Sequence, residues 1–195
     1  MRSVKLDLPQ RLPARLETIQ RACPEKTFDQ NPAGCPKASV VGQASVQTPI
    51  LSTTMTGPAY LVSKNGTGVT HHGESKTEKE EAAFPNIVLV LQGEGVRINL
   101  TGGLFVSEKN ITSVTFRTIP DVPIRRLDLT LPEATSSILA ASSGLCTKRP
   151  LSMTTAIVAQ DGARLKPTVK VAVSGCKHKK PKKRRHAKQR HGKKK

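Results

Sequence analysis

The sequence predicts an all-β fold: a sandwich of antiparallel strands with one short N-terminal helix, two disulfides and a disordered basic tail. Three observations carry that expectation. Short runs of alternating apolar and polar residues recur along the chain, separated by Gly- and Pro-rich turns, with few helical periods. Four cysteines, Cys23, Cys35, Cys146 and Cys176, form an even set without a CxxC pair, which suits disulfides in an oxidising compartment better than zinc. The net charge of +18 is concentrated at one end. Residues 177–195, KHKKPKKRRHAKQRHGKKK, hold twelve of the 32 Lys and Arg residues and no acid. Such a block repels itself and has nothing apolar to bury, so it is expected to be disordered. Residues 1–176 then form one β-sandwich-like domain, long enough to bury a sizeable, mainly aliphatic core.

The elements follow in order. Val4, Leu6 and Leu8 alternate with Lys5 and Asp7, which reads as a strand stopped by Pro9. Leu12, Leu16, Ile19 and Cys23 recur at helical spacing; Pro13 suits a first helical turn and Pro24 an end. The Leu face of this helix is expected to pack on the sheet. Residues 24–39 read as a loop. A Cys23–Cys35 bridge would staple it, closing about a dozen residues for roughly 3 kcal/mol in the chain-entropy model. Strands are expected at 40–48, 58–63, 86–92, 95–101, 112–118, 124–131, 151–159 and 163–174. Residues 64–83 are Gly-rich and charged, and read as a flexible loop inside the domain.

Two hairpins carry a register. Residues 87–92 and 96–100 flank Gly93-Glu94-Gly95; a three-residue loop would set Val90 opposite Ile98 and Val88 opposite Leu100. In the second, Gln160-Asp161-Gly162 joins the strands, with Gly162 in the left-handed position. Leu151 then meets Val171, Met153 meets Val169, and Ile157 meets Leu165. The same register brings Cys146 opposite Cys176. It thereby selects Cys146–Cys176 and Cys23–Cys35 among three possible connectivities. Pro167 cannot donate to a ladder, so its strand is expected at an edge or bulged.

Catalytic signatures are missing from the sequence. No phosphate-binding glycine loop, GxSxG, HExxH or SxxK pattern occurs. His71 and His72 sit in the Gly-rich stretch; His178, His186 and His191 sit in the tail. Glu94, Glu108, Asp121, Asp128, Glu133 and Asp161 fall mainly in turns or at strand ends. No catalytic residue, metal ligand or cofactor is therefore assigned, and a non-enzyme is expected. No run approaches the roughly 20 apolar residues of a membrane-spanning helix. The functional signal is the tail: Lys177, Lys179, Lys180, Lys182, Lys183, Arg184, Arg185, Lys188, Arg190, Lys193, Lys194 and Lys195 are the expected polyanion-binding residues. That chemistry suits wall polymers, nucleic acid or anionic lipid heads alike. The rest of the chain lacks aromatic motifs for stacking bases.

Several segments carry a resemblance. LPARLETIQRACP (12–24), NPAGCP (31–36), VGQASVQTP (41–49), GPAYLVS (57–63), FPNIVLVLQGEGV (84–96), ITSVTFRTIPDVP (111–123) and LCTKRPLSMTT (145–155) resemble a module of large, uncharacterised secreted proteins of actinobacteria. The end HAKQRHGKKK is similar to their basic C-termini. The resemblance implies export, an extracellular or cell-surface place, and a position at the end of a longer chain; it implies no catalytic residues. Residues 1–20 are charged throughout, without an export-signal core, so an exported form is expected to derive from a longer precursor. The stretch 64–83 looks longer than is usual for that family. The expected function is a non-enzymatic structural or adhesive surface module whose tail contacts anionic envelope polymers. The alternative is a nucleic-acid-binding protein using the same tail.

Overall fold

Alternating side chains become strands wherever one face finds cover, and here they join into one continuous, curled sheet. The computed structural model describes residues 1–64, 84–133 and 137–176. The expected flexible loop, beyond Lys64, and the whole basic tail lie outside the described residues. The strands are β1 (Ser3–Asp7), β2 (Cys23–Pro24), β3 (Val40–Gln47), β4 (Met55–Ser63), β5 (Asn86–Gly93) and β6 (Val96–Val106). They continue with β7 (Thr112–Phe116), β8 (Arg126–Thr130), β9 (Leu151–Val158), β10 (Arg164–Leu165) and β11 (Thr168–Val171). The main ladder runs β10-β9-β1-β7-β6-β5-β4-β3-β8; β11 also pairs with β9, and β2 pairs in parallel with β4. Every other pairing is antiparallel.

The central strands β4 and β5 are covered on both faces, which explains the unbroken apolar run IVLVL in β5. Ile87, Leu89 and Leu91 enter the main core with Leu61, Met55 and Leu104. Val88 and Val90 face the other way, against Tyr60, Val62, Cys23 and Phe28. β6 runs past its expected end because its glycines accommodate a neighbour instead of stopping the strand. The Phe116 ring lies 2.9 Å from where a Cβ on Gly102 would stand.

The helical expectations need correction. The helix expected from Leu12 to Cys23 is a single turn, α1 (Leu16–Ile19). Residues 13–15 are held extended: Ala14 bridges to Leu139, the Ala140 N–H donates to the Pro13 carbonyl (3.0 Å), and the Arg15 N–H to the Ile138 carbonyl (2.7 Å). Ile19 packs against the core, but Leu16 is 61% exposed, so the predicted Leu face does not form. The supposed loop 24–39 contains α2 (Glu25–Gln30) and 3₁₀ turns at Pro32–Gly34 and Lys37–Ser39. α2 buries its one apolar side chain, Phe28, edge-on to Tyr60 with ring centroids 5.5 Å apart.

The first hairpin also differs from expectation. Gly93 pairs with Val96, leaving a two-residue turn at Glu94 (φ 49°) and Gly95 (φ 76°). Two successive left-handed residues make the turn that matches strand twist. Leu89 therefore meets Leu100 and Leu91 meets Ile98, one residue out of the expected register. The second hairpin follows its prediction: Leu151 pairs with Val171, Met153 with Val169 and Ile157 with Leu165. Gly162 has φ 89°. Pro167 splits this edge strand into β10 and β11, as a missing donor requires.

Leu89 is wholly buried among aliphatic neighbours. Leu89→Ala is expected to lower stability by about 2–5 kcal/mol in urea denaturation, through lost transfer energy and a residual cavity.

Candidate functional site

Acidic side chains in the described residues serve turns and pairs more than clefts. The Glu94 carboxylate accepts hydrogen bonds from Ser52 Oγ (2.5 Å) and the Thr53 backbone N–H (2.7 Å). The Ser52 bond, then the Thr53 bond, hold this carboxyl below the usual carboxylate range. Those bonds also anchor a non-glycine residue at positive φ. Asp161 accepts from the Ala163 N–H (2.9 Å) inside the second turn. Arg126 Nε donates to both oxygens of Asp128 (3.0 and 2.7 Å), which raises the guanidinium pKa; the pair is exposed, so its stabilisation is small. Ser113 Oγ donates to Asp7 Oδ1 (2.6 Å), and Lys5 Nζ lies 3.3 Å from the same oxygen. All five histidines lie outside the described residues. Among the described residues no three His, Cys, Asp or Glu side chains gather as metal ligands.

The four cysteines stand where their spacing places them. Cys23 bonds Cys35 and Cys146 bonds Cys176, with Cα–Cα distances of 5.4 and 5.5 Å. The two bridges sit in different surroundings. Cys23 is fully buried in the second core, beneath α2 and beside Val62. The Cys146–Cys176 bridge closes the foot of the β9–β11 hairpin, whose residues are mostly exposed. Lys177 follows that bridge directly, so the hairpin is where the basic run joins the fold. The twelve Lys and Arg residues expected to bind polyanions lie outside the described residues.

Two concavities escaped the sequence reading. One, of about 520 Å³, lies on the second face across β5, β6 and β7, walled by Asn86, Asn99, Thr101 and Thr115 with Lys64 and Arg117 at its rim. Both cations are engaged with partners. Polar residues at alternate positions of β6, Asn99 and Thr101, were its available signal, since they mark a face without cover. The other, of about 800 Å³, is an open cleft beside the Cys146–Cys176 bridge, lined by Leu145, Leu151, Val171 and Val173 together with Lys148 and Arg149.

Comparison with family models, with curated proteins and with solved structures finds no match to this chain.

Two outcomes follow. Loop closure alone gives about 3 kcal/mol for the shorter bridge and about 4 kcal/mol for the longer. Removing Cys23 and Cys35 together is nevertheless expected to cost more than removing Cys146 and Cys176, because the former pair also roofs Val88 and Tyr60. Urea denaturation of the two double-Ala variants decides the order. Glu94 has a folded pKa below its unfolded value, so its contribution is present above the ordinary glutamate pKa and is lost as pH falls through the folded one. Glu94→Gln is expected to remove that acid-range dependence, and NMR titration should find the Glu94 midpoint below that of an ordinary glutamate.

Proposed function

We propose that the chain is a non-enzymatic structural or adhesive module of a bacterial cell surface, with its polycationic segment contacting anionic envelope polymers. One observation carries this reading: two disulfides close the fold, and the second stands immediately before the twelve-cation run. Disulfides persist in oxidising compartments, which supports an extracellular or cell-surface place. The cations supply affinity for polyanions through counterion release, without needing a shaped pocket. Glu94, Asp128 and Asp161 are engaged in turns and in an ion pair. The resemblance to modules of secreted actinobacterial proteins points the same way.

The test uses isolated cell envelopes and purified teichoic-type polymer at low ionic strength. Deletion of residues 177–195 is expected to weaken binding at least tenfold while leaving the fold's thermal transition in place. Equal binding by the truncated chain would remove the tail from the function. Duplex DNA serves as competitor. If it displaces the polymer at matched charge, and loses about 10³–10⁵ in affinity between about 50 and 200 mM salt, the nucleic-acid reading prevails.

A further inference from the structure

The β9–β11 hairpin has an apolar face that the body does not cover. Odd-numbered residues share one face: Leu151 and Met153 oppose Val171 and Val169, and Ile157 opposes Leu165. Near β1 this face continues the main core, since Val4 pairs with Ile157 and itself packs on that core. Further out the cover ends. Leu165 is 63% exposed and Val169 50%. The stripe leads into the open cleft at the hairpin's foot, which Leu151, Val171 and Val173 line together with Lys148 and Arg149.

Charge on this element has one sign. Between the two bridge cysteines stand Lys148, Arg149, Arg164, Lys166 and Lys170, against a single acid, Asp161. Asp161 is turned into its own turn, bonded to the Ala163 N–H. Among the described residues none of the five cations meets a carboxylate. Arg164, Lys166 and Lys170 belong to the outermost chain segment of the sheet, at even-numbered positions on the face opposite the apolar stripe, whereas Lys148 and Arg149 line the cleft beside it.

We propose that this disulfide-closed hairpin is a docking surface for an anionic lipid bilayer. Exposed Leu165 and Val169 would enter the interfacial layer, and Lys148 and Arg149 would meet lipid phosphates at the mouth of the cleft. Charge selects this occupant. A second copy laid on the same element would bring like charge against like, since its cations outnumber its acids five to one. A purely hydrophilic polyanion would leave the apolar stripe unmatched. The proposal is independent of the tail's role, because every residue it uses precedes Lys177.

Flotation of the full chain with vesicles tests it. The probes are phosphatidylcholine vesicles with and without about a third phosphatidylglycerol, at about 0.5 M salt, where attraction by the tail is largely screened. Wild type is expected to float with the anionic vesicles. Leu165→Thr/Val169→Thr should lower that partition about fivefold or more, and Lys148→Gln/Arg149→Gln should lower it on anionic vesicles alone. Both variants keep the tail, so a failure here leaves the tail's polymer binding to be judged separately. Unchanged partition in both overturns the proposal. So does a wild-type dimer in sedimentation that the Leu165→Thr/Val169→Thr change dissolves. Should that variant misfold, Val169→Trp gives a second readout: its emission should shift to the blue with anionic vesicles, and an unshifted spectrum overturns the proposal.

Discussion

The turn at Glu94 and Gly95 decides which way the apolar side chains of β5 point. With two residues in the loop, Leu89 and Leu91 enter the main core and Val88 and Val90 enter the second. A third loop residue would pair Val88 and Val90 with Leu100 and Ile98 and break the match between large side chains and the larger core. β4 depends on the same register, because Leu61 pairs with Ile87 and Tyr60 with Val88. The second face then needs a roof. The segment bearing α2 provides it, with the Cys23–Cys35 bridge holding the segment down and Phe28 filling the space against Tyr60.

The cover on that face is local, and this sets the character of the rest. Over β4 and β5 the residues beneath the roof are apolar; across β6 and β7 they become Asn99, Thr101, Thr115 and Arg117, which tolerate water. The main core thins in the same manner toward β9, where Thr155 alone of the described hairpin residues is buried. Both concavities lie where cover gives out, one on an open face in the middle of the sheet and one at the foot of its terminal hairpin.

Much of this was legible in local signals, and the misses share one cause. The second hairpin could be read because Gly162 marks the turn, apolar residues pair across it, and both bridge cysteines fall into the same register. Each of those signals lies within a few residues of the chain or repeats along it. The first hairpin was misread because Gly93 and Gly95 both offer a left-handed position, while the residue that shares the turn with Gly95 is Glu94. What steadies Glu94 is Ser52 and Thr53, about forty residues upstream and invisible to a local pattern. α2 has one apolar residue and so no periodicity to detect; its helix is set by Tyr60. Residues 13–15 look like a helix start but are pulled straight by residues 138–140. The polar groove and the cleft at the second bridge depend on strand order, which no short motif encodes.

β1 sits between β7 and β9, so its five residues are the mortar between the body of the sheet and the terminal hairpin. Lys5 lies opposite Thr115 on one side and Ala156 on the other. In order of synthesis this strand emerges long before either neighbour. It must wait, unpaired, until more than a hundred further residues have appeared, and its last ladder closes only when β9 arrives. Closure over such sequence distances is slow, because loop entropy is lost before the contacts repay it. β1 therefore joins the sheet late, when the β9–β11 hairpin closes its second ladder.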